Sequence, residues 1–560
     1  MKKLRKTFFP LLLILPMLFL SANVNAQSDP TAESPATRTY AIQNATIVQA
    51  PGNVIEGGTI VIENGLISAV GKNVNIPAYA EIIDGTDLFV YPGFIDGMAY
   101  TGAKRPEQPE RPRNLFTPDP PNEYAGITPE KHVVDQIVID DASISSMRKL
   151  GFTVSHTVPY GRMLPGSGAL VLLTEKEHAD LMLLQEDVSL YTQFAGAPGA
   201  YPGNTLGIMA KFRDLYRNAE LSKQHSEMYA SGPAGMERPT RDRTLEAFYP
   251  VVAKQKPIFY NANTALEARR AIRLKNELGF NLVIGNLQQG WDLVDAIKNS
   301  GTQVFMSLEL PEEPKEAKEE DQTEEVKQLE ERRMEFYKRY LTQYAEMKKA
   351  GVKFGFSTID ASAGKIKKNL KTLLDYGMTE DDLLAALTID AAELLGINTI
   401  TGSLEKGKLG NAVITKGAYF ADDSQVKYVF VDGDKFDFEV KEKKANGENA
   451  APANAEAIVG TWSYTVMSPE GEQGGKMIIR MEDGFLAGTL TSNDGSPDND
   501  MQNISFRDGE LNFEFTIDAG GQSVLVLVSG PVTGNEFDGE ATVEQFNVSF
   551  PLRATKDEAK

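Results

Sequence analysis

Only four histidines occur in 560 residues, His132, His156, His178 and His225, and there is no cysteine. Without thiols the chain has no disulfide, no thiolate zinc site, no cysteine nucleophile and no N-terminal cysteine to lipidate. Imidazole and carboxylate groups remain for acid–base work. His156 stands near the end of the β-branched run Phe152 to Val158 and is a candidate pocket residue, although an isolated histidine more often serves a structural role. Asp360 follows the apolar run Val352 to Ser357 and is a candidate acid or base, weighed against plain solvation. His132, His178 and His225 fall in loop or helix contexts and receive no role. The run Gly199-Ala200-Tyr201-Pro202-Gly203-Asn204-Thr205 precedes a helical pattern, and its free amides suit either an anion or ordinary capping.

These groups must be positioned by more than one domain, because 560 residues exceed what a single core holds. An apolar content of 41% and a charged content of 24% are those of a globular protein. The net charge of -21 excludes a nucleic-acid binder, which needs a basic footprint. Lys2, Lys3, Arg5 and Lys6 precede the apolar run Phe8 to Leu20, and Val24-Asn25-Ala26 offers a cleavage site before Gln27. That is the pattern of a signal peptide over residues 1–26. Its removal leaves a mature charge of about -25 and predicts a periplasmic or secreted protein, free of the membrane after cleavage. Residues 27–39 are rich in Ser, Pro, Ala and Thr and read as a disordered leader.

From Tyr40 to Asp87 short alternating runs predict a small antiparallel sheet, with Glu63-Asn64-Gly65 as a hairpin turn. Beyond it the rhythm becomes strand then helix. Leu88–Ile95, Phe152–Val158, Ala169–Leu173, Ser189–Phe194, Pro257–Asn261, Asn281–Ile284, Gln303–Ser307 and Val352–Ser357 make eight strands, the number that closes a parallel barrel. Thr264 and Glu267 form a capping-box pair, and Thr379 opens a helix with Leu383, Leu384, Leu387, Ala391 and Leu395 on one stripe, stopped by Gly396. The Glu- and Lys-dense stretch Glu312 to Lys349 reads as a long solvated helix. Residues 441–456 form a polar linker. After it the runs Lys476–Met481, Phe485–Ser492, Ile504–Phe506, Leu511–Ile517, Ser523–Val528 and Phe546–Leu552 predict an all-β barrel or sandwich over 457–560.

Three stretches carry a resemblance. They are Val90-Tyr91-Pro92-Gly93-Phe94-Ile95-Asp96, the segment Leu384 to Gly396, and Gly402-Ser403-Leu404-Glu405-Lys406-Gly407-Lys408-Leu409-Gly410-Asn411-Ala412-Val413. In that order around a strand–helix alternation, they resemble the metal-dependent amidohydrolases, especially the imidazolonepropionase-like branch. The resemblance implies an α/β fold: a (β/α)8 TIM-like barrel over 91–400, a small flanking β-sheet domain from 40–90 and 401–440, and the separate C-terminal all-β domain. It also implies hydrolysis of non-peptide carbon–nitrogen bonds at a divalent-metal site, with Asp96 as a structural carboxylate. Carried over residue by residue, the metal ligands fall on Met98 and Tyr100 after the first strand, Asn261 after the fifth, Asn286 after the sixth and Thr358 after the eighth; the fourth-strand bridging residue has no assigned position. Neutral amides, a thioether and hydroxyls are poor ligands for such an ion.

The expectation is therefore a protein with no cofactor whose barrel serves binding or assembly. Its partner would be an active amidohydrolase paralogue, a second copy of itself or a small molecule. Two alternatives stay open. One is an active hydrolase of cyclic or linear amides with an atypical site holding zinc or another divalent metal. The other is an exported ligand- or glycan-binding protein whose C-terminal domain does the binding, since Gly460-Thr461-Trp462 resembles, briefly, the opening of lipocalin-like barrels.

Overall fold

The computed structural model describes residues 39–106, 115–314, 323–440, 458–468, 471–482, 485–493, 498–507, 509–519, 522–543 and 548–557. The signal segment, nearly all of the leader and the linker lie outside them. The chain divides into two compact units, Met1–Val440 and Lys441–Lys560.

In the first unit, β1 (Thr39–Ala50), β2 (Asn53–Glu63), β3 (Leu66–Gly71), β4 (Glu81–Asp84) and β5 (Leu88–Pro92) open a sheet. Asn64 and Gly65, both at positive φ, turn β2 into β3 and pair Glu63 with Leu66, as the Asn-Gly signal predicts. Eight further strands make a second sheet: β6 (Phe94–Ala99), β7 (Phe152–Thr157), β8 (Gly166–Leu172), β9 (Leu183–Gln193), β10 (Ile258–Asn261), β11 (Leu282–Leu287), β12 (Gln303–Ser307) and β13 (Phe354–Ser357). The chain then returns through β14 (Ala412–Lys416), β15 (Gln425–Val431) and β16 (Asp434–Asp437), which extend the first sheet in the order β16-β15-β14-β5-β1-β2-β3. The run Leu88–Ile95 is thus two strands. It divides at Gly93, whose N–H donates to Asn411 O at 2.9 Å and where a Cβ would collide with Thr153.

The second sheet runs β6 to β13 in chain order. Its first and last strands meet through side chains: Ser357 Oγ donates to Met98 O at 2.7 Å, and Thr358 donates from N (3.2 Å) and Oγ1 to the Asp96 carboxylate. The expected all-parallel order fails at one strand. β8 is antiparallel to both β7 and β9, while the other adjacent pairs are parallel. The short Val158–Pro165 connection explains it, because a parallel return needs a crossover of roughly a dozen residues or more.

Helices cover the strands. Thr264 and Glu267 complete their capping box ahead of Ala265–Leu278. The helix begun at Thr379 is two pieces, Glu380–Leu387 and Ile389–Leu394, broken at Thr388. There the residue leaves helical angles and its hydroxyl donates back to Leu384 O. The charged helix begins at Glu324 behind a Thr323 cap and is only half solvated: Tyr337, Tyr340, Leu341, Tyr344 and Met347 are buried along its second half. Among the described residues no helix is long and apolar enough to cross a membrane.

The second unit is a closed antiparallel barrel of eight strands joined in chain order, from Gly460–Ser468 to Val548–Lys556. Its interior is lined by Trp462, Leu490, Phe513, Val526 and Phe537, among others. The strand Glu536–Val543 is absent from the sequence reading because its outward positions are largely acidic and only Phe537, Gly539, Ala541 and Val543 face in.

Candidate functional site at the barrel mouth

The bore beneath the mouth is filled. Phe305 occupies the centre against Gly97 and Gly355, where any Cβ would overlap its ring, and Phe259 lies beside it. Met98 is fully buried and rests on Gly285, with its sulfur 2.5 Å from where a Cβ would stand. His156 is enclosed in the same layer, edge-on to Phe259. Its Nδ1 faces Gly97 O at 2.9 Å, an acceptor, so Nδ1 carries the proton and Nε2 accepts from Ser189 Oγ at 2.8 Å. Burial pushes its pKa down to about 4 against the Gly97 bond, so the ring is neutral near pH 7. His156 is thus placed inside the barrel with both nitrogens engaged.

Asp96 is also buried. Desolvation raises its pKa to about 7, opposed by bonds from Thr358 and from Met98 N. Thr358 is wholly occupied with this carboxylate across the seam.

Above this layer, at the carboxyl ends of the parallel strands, the polar groups order one another. Gln193 Nε2 donates to Gly161 O at 2.6 Å, which leaves its Oε1 as acceptor for Tyr191 OH at 3.3 Å. The Tyr191 oxygen then accepts from Tyr100 OH and from Asn261 Nδ2, each at 3.2 Å. That fixes the Asn261 amide, and its buried Oδ1 is left without a donor. Burial raises the pKa of both tyrosines, keeping them protonated. Tyr100 is stacked on Tyr160 with ring centroids 3.8 Å apart, and Arg105 lies over the outer ring.

A second group forms beside it. Asn286 Nδ2 donates to Asp360 Oδ2 at 2.5 Å and to Asn263 Oδ1 at 3.2 Å, and Asn263 Nδ2 donates to the same Asp360 oxygen at 3.3 Å. Asn286 is fully buried at φ 58, a left-handed conformation that asparagine tolerates better than most residues. With Nδ2 committed to two acceptors its orientation is set, and Oδ1 again has no donor. Asp360 itself is exposed at the rim.

The structure therefore gathers Tyr100, Asn261, Asn286 and Asp360 at the mouth, and places Met98, His156 and Thr358 in the packed layer below. Sequence reasoning missed Tyr191, Gln193, Asn263 and Tyr160; the Asn261–Asn263 spacing beyond one strand was the available signal for Asn263. The run before Thr205 behaves as a cap, since Asn204 accepts from Gly207 N. The donors assembled here do not fit a catalytic divalent ion. They are a buried thioether, phenols, amides, a committed hydroxyl and one rim carboxylate already bonded to two amides, whereas such ions take imidazole and several carboxylates. Among the described residues no three His, Asp or Glu side chains converge.

Residues 339–435 match the Amidohydrolase family. A comparison with curated proteins returned no match. Among solved structures, the chain is similar to an amidohydrolase from Thermotoga maritima MSB8, at 23% identity and a TM-score of 0.58, over 71% of this chain and all of that one. It also aligns with a Xaa-Pro dipeptidase with bound methionine in the active site, at 17% identity and a TM-score of 0.42, over 71% of this chain and 100% of that one. A molinate hydrolase gives 14%, 0.43, 72% and 95% for the same measures. The first likeness establishes the fold alone.

Proposed function

We propose that this chain is an exported, amidohydrolase-like protein whose barrel no longer performs metal-dependent hydrolysis and acts as a binding or assembly module. In this reading Met98, Tyr100, Asn261, Asn286 and Thr358 stand at the metal-ligand positions of a TIM-like amidohydrolase barrel. One observation carries it: Met98 is buried against Gly285, where an imidazole would be expected to reach a metal. The rest is consistent with that, since Asp96 is spent on holding Thr358 and Tyr100 on the tyrosine chain. The N-terminal basic and apolar segment supports export. In the second unit, closure of the barrel and the bond from the buried Trp462 Nε1 to Ile458 O at 2.8 Å support a lipocalin-like reading.

The test is metal content together with turnover. The purified mature chain is dialysed against zinc and manganese, washed, and assayed for bound metal and for hydrolysis of amide and dipeptide panels. Metal well below one equivalent with no chelator-sensitive turnover is expected. Near-stoichiometric metal with activity lost on chelation would overturn the reading in favour of an active hydrolase with unusual ligands. Co-purification with an intact amidohydrolase would identify the assembly role.

A further inference from the structure

We propose that the barrel mouth binds a small primary ammonium compound, whose N–H donors are answered by Asn261 Oδ1, Asn286 Oδ1 and the Asp360 carboxylate. This rests on the reading of the mouth as a binding site rather than a metal centre.

Gln193, held by Gly161 O, offers its oxygen to the Tyr191 proton, and in that arrangement Asn261 gives its amide to the Tyr191 oxygen and presents its own oxygen unpartnered. Asn286, held by Asp360 and Asn263, does the same from the neighbouring strand. The two strands are in register, Asn261 pairing with Gly285. Two buried acceptors without donors among the described residues are costly, each roughly 1–3 kcal/mol, and such groups are met by an ordered water or by a ligand. Both lack a donor and neither lacks an acceptor. The ligand that answers them gives hydrogens.

Charge selects among donors. Asp360 stands at the rim with one oxygen taken by two amides and the other, Oδ1, bonded to no side chain among the described residues. Glu309 is half-buried nearby, and its pKa is raised by burial against the pull of Lys365, with the Asp360 charge adding to the rise. A cation relieves that repulsion, and the chain's net charge of -21 favours its approach. The stacked Tyr100–Tyr160 pair borders the mouth, with Arg105 already over its outer ring; burial raises Tyr100 against its bond to Tyr191, and the Asp360 charge raises it further while Arg105 opposes. A hard metal cation suits the site less well, since it would take roughly 6–8 oxygens and one Asp360 oxygen already receives two amide hydrogens. An ammonium has three donors and no acceptor.

The experiment is calorimetric titration of the purified full-length mature chain, stripped of metal. The probes are n-butylamine, tetramethylammonium as a cation without N–H, n-butyrate as an anion, and calcium. Butylamine is expected to bind one to one and the other three not to bind. Asp360→Asn, which keeps an amide oxygen to accept from Asn286 and Asn263, should weaken butylamine at least tenfold while the protein remains folded by circular dichroism. Asn261→Ala should weaken it as well. Absence of butylamine binding, equal binding of tetramethylammonium, calcium as the only binder, or unchanged affinity in Asp360→Asn overturns the proposal. Stoichiometric metal with hydrolysis overturns the metal-free reading, whereas a metal-free protein that ignores amines overturns this proposal alone.

Discussion

Met98 lies so close over Gly285 that a Cβ built on the glycine would stand 2.5 Å from its sulfur. The two residues come from β6 and β11, far apart in sequence, and each restricts the other. Gly285→Ala should therefore destabilise the first unit by about 1–3 kcal/mol through overpacking. Met98→Ala should cost about 2–5 kcal/mol through the cavity left behind. Urea denaturation of both variants is the measurement, and an unchanged midpoint in Gly285→Ala would contradict the geometry.

Returning an aspartate to the seam should not return a metal. In Thr358→Asp a second carboxylate would face the buried Asp96 and remove the hydroxyl donor that Asp96 accepts. Like charges at that distance push one pKa up and destabilise the fold. The variant should unfold more readily than the parent at pH 8, with part of the deficit recovered at pH 5, where one proton can be shared. Tight zinc binding by this variant would mean that the donor set was misjudged.

His156 gives a signed pH dependence. Its folded pKa of about 4 lies below the ordinary histidine value of 6.5, so its stabilising contribution is complete above pH 6.5 and is lost as pH falls through 4. His156→Gln should remove this contribution, so that its melting temperature rises relative to the parent's on acidification from pH 6.5 to pH 4. A difference between parent and His156→Gln that stays constant from pH 6.5 to pH 4 would show that the ring is not held neutral by burial.

Asp96 works in the opposite sense. Its folded pKa of about 7 lies above the ordinary aspartate value of 3.8, so its contribution is complete below pH 3.8 and is lost as pH rises through 7. Between pH 4 and 6.5 the two residues oppose one another and the parent profile should be shallow. Asp96→Asn should become relatively more stable against the parent on going from pH 5 to pH 8, whatever its absolute stability. A constant difference across that interval would exclude the buried ionisation.

The two tryptophans report separately on the two units, Trp291 on the first and Trp462 on the second. Trp462 is fully buried, so in Trp291→Phe the emission should be blue-shifted and should move red only when the C-terminal barrel unfolds. Residues 458–560 expressed alone should show the same transition, having a core of their own. Early red emission from that fragment would show that the barrel needs the first unit.

Much of the frame was legible because local chemistry enforces it. Asn64-Gly65 can adopt the positive φ angles a tight hairpin needs, and Thr264 with Glu267 satisfies its own helix terminus. The eight strand candidates could be read for the same reason, as apolar runs between turn signals. The direction of β8 was also within reach, since Val158–Pro165 leaves no room for a crossover helix, although the count of eight made an all-parallel order attractive. The break at Thr388 was less accessible, because Leu383 to Leu395 keeps a helical stripe across it.

The site divides in the same way. Chain order alone puts neutral Met98, Asn261 and Asn286 in the last two positions of their strands, and Tyr100 and Thr358 just beyond theirs. Only the tertiary structure decided what they do there. Hydrogen-bond direction is a property of the whole network: Gly161 orients Gln193, Gln193 orients Tyr191, and Tyr191 orients Asn261. Asp360 and Asn263 do the same for Asn286. These partners come from separate strands and loops, and no spacing in the chain records that they meet. The two bare amide oxygens follow from that meeting alone.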